Sequence, residues 1–196
     1  MATNIDLMRI RTANPADFES VLALNQESER FLSPLSRARI DVLHHQACLH
    51  QVIEIDGKVA AFVLALREGE DYDSVNYRWF LGRYERFMYV DRVVVSGARQ
   101  GRGLGCVLYE LVFAHTRSTG VPVVTCEYDI DLPNPPSERF HRAFGFLEVG
   151  QVKKRRFLNL CSHYSQVMGL TTRAAVAQSR RNRHSYLLRP ITPGEV

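Results

Sequence analysis

The sequence lacks the features of a membrane protein, a secreted disulfide protein and a zinc protein. It has no apolar run long enough to span a bilayer and no apolar segment typical of a signal peptide near residue 1. Its four cysteines, Cys48, Cys106, Cys126 and Cys161, are widely separated and show no CxxC pair or zinc-site spacing. We therefore expect reduced thiols, a cytoplasmic protein, no membrane partner and no bound metal.

Most of the chain also lacks an excess of positive charge, although the net charge is +4. Residues 171–196 contain five arginines and one acidic residue, whereas the other 20 basic residues balance the other 20 acidic residues. We predict one domain over residues 1–170 and a basic C-terminal extension, 171–196, that is solvated, disordered or loosely packed. A neutral domain gives no reason to expect a nucleic-acid partner.

The order of apolar patterns predicts a mixed α/β (α+β) domain with a mostly antiparallel sheet. Asp56-Gly57 lies between two apolar runs and predicts a β-hairpin, and Ser137 is interpreted as the cap of a short helix that Gly145 ends. The acidic and aromatic stretch 68–87 has no clean period. It is interpreted as a long loop with a short helix, either a binding element or a flap packed on the core.

The most informative stretch is a strand, a glycine-rich turn and an amphipathic helix between Tyr89 and Thr119. The turn reads Gln100-Gly101-Arg102-Gly103-Leu104-Gly105, and apolar residues recur at helical spacing from Cys106 onward. Glycines let backbone amides approach a ligand closely, and a helix N-terminus favours an anion. The pattern therefore predicts a pyrophosphate site.

Two glycine-loop chemistries compete for this turn. A P-loop is excluded because no lysine follows the glycines. A dinucleotide fingerprint meets Cys106 at its third small position and would come unusually late in the chain. That alternative stays open, since Glu127 ends the next strand, where a ribose-binding acid is expected.

The turn resembles the acyl-CoA signature [RQ]-x-x-G-x-[GA] of the GNAT superfamily of N-acetyltransferases. The segment NPPSERFHRAFGF, from Asn134 to Phe146, resembles the second signature of that family. The resemblance covers residues 7–168. It implies a GNAT-like twisted sheet flanked by helices, and acetyl-CoA as the co-substrate.

The resemblance also implies which residues bind acetyl-CoA. Val93 and Val95 would border the pantetheine arm, and their backbone groups would pair with its amides. Asn134 would contact the arm near the acyl group, although Asn134-Pro135 also suits a simple turn. The pyrophosphate would be held by the backbone amides of Gln100, Gly101, Arg102, Gly103, Leu104 and Gly105.

The implied reaction is direct attack of a neutral amine on the thioester in a ternary complex. Glu127 is the first candidate for the base, followed by Asp91 and Glu85. His141 stands where many relatives carry a tyrosine that protonates the CoA thiolate, and it is either a proton donor near neutral pH or a surface helix residue. The carboxylates and aromatic rings of 68–85 suit a cationic acceptor.

We therefore expect a small-molecule amine or a peptide amino group as the second substrate. A non-catalytic acyl-CoA-binding sensor or scaffold of the same fold is the alternative, and a homodimer stays open.

Overall fold

A seven-stranded mixed sheet forms the centre of the fold. The computed structural model of the chain describes residues 7–131, 133–155 and 162–171. Its strands are β1 (Met8–Thr12), β2 (Leu49–Ile55), β3 (Lys58–Arg67), β4 (Met88–Val95), β5 (Val123–Asp129), β6 (Leu147–Arg155) and β7 (Ser162–Thr171). They lie in the order β1-β2-β3-β4-β5-β7-β6, and every neighbouring pair is antiparallel except β4 and β5. The predicted fold class is confirmed.

Helices cover both faces of this sheet. They are α1 (Phe18–Glu27), α2 (Arg37–Gln46), α3 (Val75–Leu81), α4 (Leu104–Ser118) and α5 (Pro135–Ala143). The buried residues of α4 pack on one face, with Leu108 and Val112 completely covered. Those of α1, α2 and α3 pack on the other, with Phe18 and Ile40 equally buried. Burial of apolar surface on both faces holds the layers together.

Local sequence signals place most of the turns. Asp56 and Gly57 have φ of 52° and 76° and join β2 to β3, as the hairpin signal predicts. Ser36 begins α2 by accepting a hydrogen bond from the backbone N–H of Arg39. The start of α5 differs from the prediction, because the side chain of Asn134, not Ser137, caps it.

The acidic and aromatic stretch 68–87 is a flap packed on the core. It contains α3, and its rings Tyr77, Phe80 and Phe87 are completely buried against the face that carries α1 and α2. Of the two interpretations made from the sequence, the covering flap is the one observed.

The predicted extension 171–196 lies outside the described residues, apart from Thr171 at the end of β7. Across the part of the chain that the structure describes, the helices are too short or too polar to cross a bilayer.

The sheet opens between its two parallel strands. Among the described residues, β4 and β5 pair only through Met88 with Val124 and Tyr89 with Thr125. Just beyond, the register of β3 against β4 shifts, so that Asp91 is an extra residue on β4. Because β5 pairs along its whole length with β7, β4 is left with an open edge from Val90 onward.

The burial of His50 predicts that the free energy of unfolding depends on pH. It is 4% exposed, it lies beside the rings of Phe18 and Phe62, and its Nδ1 is 2.9 Å from Nδ1 of His44. Burial lowers the pKa of His50 from 6.5 to about 4. Between these values the unfolded chain binds the extra proton, so the free energy of unfolding falls as the pH falls, by up to about 3 kcal/mol at this site.

We expect His50→Leu to flatten this dependence in urea unfolding at pH values from 7 to 4. His45, which is exposed, provides the control His45→Leu. An unchanged pH slope in His50→Leu would contradict the assignment.

Candidate functional site

A cavity of about 600 Å³ occupies the opening between β4 and β5. It extends from the turn before α4 to the connection between α1 and α2. The two ends belong to opposite faces of the sheet, because Leu104 packs with the core under α4 and Leu32 packs with the core under α1 and α2. The cavity therefore joins the two faces through the gap in the sheet.

The open edge of β4 supplies backbone hydrogen-bonding groups to this cavity. The N–H of Ser96 donates to Ala60 O on β3, and alternate residues of a strand point the same way. Val93 and Val95 therefore direct their N–H and C=O groups away from β3, into the gap. Both line the cavity, as the sequence-based assignment requires.

The glycine turn forms one end of the cavity. Gly101 and Gly103 have φ of 75° and 80°, which only glycine adopts readily, and Gly103 is the residue before the first turn of α4. Gln100, Gly101, Gly103, Leu104 and Gly105 line the cavity, whereas Arg102 is exposed beside it. A Cβ atom on Gly105 would lie 3.3 Å from the ring of Phe140, so a small residue is needed where α4 meets α5.

Asn134 lies in the cavity wall at the start of α5. Its Oδ1 accepts a hydrogen bond from the N–H of Ser137 at 3.2 Å. The side-chain oxygen is thus used by the helix cap, and the amide NH₂ is the group that can donate to a ligand. The turn-forming role and the ligand-binding role suggested by the sequence are compatible in one side chain.

Glu127 lies on β5 in the wall of the gap. Its Oε1 accepts a hydrogen bond from Tyr89 Oη at 2.8 Å, so a phenol from β4 holds the carboxylate across the opening. Glu127 thus faces the point where the two ends of the cavity meet.

The two other carboxylates considered from the sequence are less suited to act as a base. Asp91 lines the cavity, but its Oδ2 pairs with Arg92 Nε at 2.9 Å and its Oδ1 accepts from Tyr72 Oη at 2.5 Å. The side chains of Asp91 and Arg92 are 5% and 4% exposed, so this is a buried, charge-compensated pair. Glu85 is exposed and lies outside the cavity.

His141 is a buried, neutral histidine joined to Tyr109. Its Nδ1 lies 2.8 Å from the carbonyl oxygen of Ser137, which can only accept, so Nδ1 carries the proton. Nε2 then accepts from Tyr109 Oη at 2.6 Å. Burial lowers the pKa of His141 from 6.5 to about 4. Of the two roles considered from the sequence, the surface helix residue is wrong because His141 is buried, whereas the proton donor stays a prediction, and desolvation favours an uncharged ring near neutral pH.

Two tyrosines of the site were missed in the sequence. Tyr89 and Tyr109 read as apolar positions of a strand and a helix, and they are fully buried. Only the fold shows that their hydroxyls reach Glu127 and His141. Cys126, in the same wall, is buried, which raises the pKa of its thiol and disfavours the reactive thiolate.

A metal site was not predicted, and the described ranges 7–131, 133–155 and 162–171 contain no cluster of three or more His, Cys, Asp or Glu side chains suited to one.

Comparison with known proteins places this geometry in a family. The model of the acetyltransferase (GNAT) family matches residues 15–146. No curated protein sequence matches the chain.

Solved structures resemble the fold at low sequence identity. Ard1 from Thermoplasma volcanium superposes with a TM-score of 0.67 at 19% identity, covering 84% of this chain and 97% of that one. The ribosomal-protein-S18-alanine N-acetyltransferase from Escherichia coli gives 0.64 at 17%, covering 85% and 94%. YncA from Salmonella typhimurium, solved with its cofactor acetyl-CoA, gives 0.63 at 19%, covering 85% and 94%.

The pairing of Tyr109 with His141 predicts a strongly coupled pair of substitutions. Tyr109→Phe leaves Nε2 of a buried ring without its donor, and we expect the free energy of unfolding to fall by about 1 to 3 kcal/mol. Adding His141→Leu removes the orphaned nitrogen, so the double variant should recover part of that loss in urea unfolding. Tyr128→Phe, at a half-buried ring, is the control. Additive effects would contradict the pairing.

Proposed function

The chain belongs to the acetyltransferase (GNAT) family, and we propose that it moves an acetyl group from acetyl-CoA to a primary amine by direct attack in a ternary complex. The observation that carries the proposal is the cavity that connects the glycine turn, through the gap between β4 and β5, to Glu127. It offers an anion site, an open strand edge and a carboxylate in one continuous space. These are the three groups that such a transfer needs.

The donor end of the cavity fits acetyl-CoA in its chemistry. The backbone amides from Gln100 to Gly105, at the start of the 15-residue helix α4, suit a pyrophosphate. The N–H and C=O groups that Val93 and Val95 direct into the gap suit the amides of a pantetheine arm, which would add to β4 as a strand does and would share the carbonyl oxygen of Val95 with the Gln100 side chain. The amide NH₂ of Asn134 suits a carbonyl of the same arm. The neighbour YncA, solved with acetyl-CoA, supports this choice of donor.

Groups in the gap between β4 and β5 are assigned the proton transfer and the activation of the thioester. An ammonium group has no lone pair, so the acceptor must lose a proton before it attacks. We assign the removal of that proton to Glu127, directly or through a water molecule. A backbone N–H of the open β4 edge near Val95 would polarise the thioester oxygen. Because Arg92 compensates the charge of Asp91, we assign Asp91 a structural role in the cavity wall and not the role of the base.

We assign a positioning role to His141. The neutral ring fixes the hydroxyl of Tyr109 at the cavity wall, and Nδ1 is committed to Ser137 O. Under this proposal the thiolate that leaves takes its proton from solvent in the cavity.

The acceptor is a small-molecule amine or a peptide amino group. Two structural neighbours are ribosomal-protein-alanine N-acetyltransferases, so a peptide amino group is supported as well as a small-molecule amine.

Substitution of Glu127 tests the proposed reaction. Glu127→Gln removes the base, and we expect kcat to fall by about a hundredfold or more while the Kd for acetyl-CoA stays within about twofold. Glu85→Gln, at the exposed carboxylate, is the matched control and should retain full activity. The assay measures free thiol released with an amine panel. Binding of acetyl-CoA without thiol release by the unsubstituted protein would instead favour the non-catalytic sensor.

Two substitutions of Asn134 distinguish its helix-capping role from its proposed ligand-binding role. Ser caps a helix as well as Asn but lacks the amide NH₂. We expect Asn134→Ser to raise the KM for acetyl-CoA about fivefold with unchanged thermal stability. Asn134→Ala should do the same and also lose about 1 kcal/mol of stability. If Asn134→Ser binds acetyl-CoA like the unsubstituted protein, Asn134 acts only as a cap.

A further inference from the structure

The end of the cavity opposite the glycine turn is an apolar wall. It consists of Phe31 and Leu32, both half-buried, with Ser28 beside them. These residues follow α1 directly, and the N–H groups of Phe31 and Leu32 both donate to Ser28 O, at 2.9 and 3.1 Å. The wall is therefore a defined turn on the face of the sheet that carries α1 and α2.

A buried arginine fixes this turn to the edge of the gap. Arg92, on β4, donates to Asn25 Oδ1 at 2.5 Å and to the carbonyl oxygen and Oγ of Ser33 at 2.9 Å each. Asn25 lies in the last turn of α1 and Ser33 follows Leu32, so the guanidinium joins the segments on either side of the turn. Its Nε donates to Asp91 in the cavity wall.

Charged residues near the wall bear on the choice of acceptor, and Arg99 and Asp129 also line the cavity. Asp91 is compensated by Arg92, so it does not offer a second anionic site for a dication. The guanidinium of Arg30 stands 5.5 Å from the centre of the Phe31 ring and repels a distant positive charge. None of the described residues 68–87, whose carboxylates suggested a cationic acceptor, lines the cavity.

We propose that Phe31 and Leu32 form the subsite for the body of the acceptor, that this subsite takes a primary amine attached to an uncharged apolar or aromatic group, and that Arg92 is its positioning residue. The inference rests on the proposed function, because the donor occupies the face with α4 and the amine must then enter from the face with α1. The attacking nitrogen lies beside Glu127 in the gap. The apolar group attached to it packs against the turn after α1 and is thereby removed from water.

A charge series tests the inference directly. Butylamine, putrescine and γ-aminobutyrate have the same carbon chain and end in a methyl, an ammonium and a carboxylate. We expect kcat/KM for butylamine to exceed the other two by about tenfold or more, and 2-phenylethylamine to be better still. A preference for putrescine or γ-aminobutyrate would overturn the proposal and leave the proposed acetyl transfer intact.

Substitutions locate the subsite. Phe31→Ala and Leu32→Ala should each raise the KM for 2-phenylethylamine about tenfold and leave the KM for acetyl-CoA unchanged. Val42→Ala, at an exposed apolar residue of α2, is the matched control. Arg92→Met should raise the same KM without changing the Kd for acetyl-CoA, and Arg92→Lys should restore part of it. Unchanged amine KM values in Phe31→Ala and Leu32→Ala would overturn the subsite.

Calorimetry distinguishes a failure of the acceptor subsite from a failure of the proposed acetyl transfer. If no amine is acetylated, the proposed reaction fails, and binding of 2-phenylethylamine to the protein saturated with acetyl-CoA still decides the subsite. Binding that Phe31→Ala weakens about tenfold supports the apolar subsite. Absence of binding overturns it.

Discussion

The site depends on one interruption of backbone pairing, the separation of β4 from β5 after two residue pairs. Parallel strands in the middle of a sheet normally satisfy their polar groups against each other. Here the extra residue Asp91 bends β4, while β7 holds β5 along its full length. The opening leaves backbone donors and acceptors of β4 in the cavity, where a ligand with amide groups can satisfy them.

The same interruption places charge inside the protein. The carboxylate of Asp91 is nearly buried and would be costly alone, so Arg92 and Tyr72 both contact it. Arg92 in turn has donors to satisfy, and it reaches Asn25 and Ser33 beyond the sheet. A bulge that opens the strand edge therefore also fixes the turn that closes the opposite end of the cavity. The open edge of β4 and the turn after α1 are thus joined through one residue pair.

Local sequence signals predicted the parts of the fold that depend on local physics. The Asp56-Gly57 turn and the glycine turn each require residues with special backbone properties, so they are visible in the sequence. The Tyr89–Glu127 and Tyr109–His141 contacts join residues 38 and 32 positions apart, and no period or motif encodes them. The role of 68–87 was similarly undecided, because a run of aromatic residues reads alike in a binding loop and in a buried flap.

The tyrosine pairs also show why residue identity alone left the role of His141 undecided. A histidine in a helix next to a polar motif suggests a proton donor, because its ordinary pKa is near neutrality. Burial removes the water that would stabilise the imidazolium, and the carbonyl of Ser137 fixes the neutral tautomer. Glu127 has a different environment in the gap, where the phenol of Tyr89 donates a hydrogen bond to its carboxylate. Two ionisable residues on the same cavity thus differ in their surroundings, and the packing around each of them, which the residue type does not reveal, determines the hydrogen bonds that it makes.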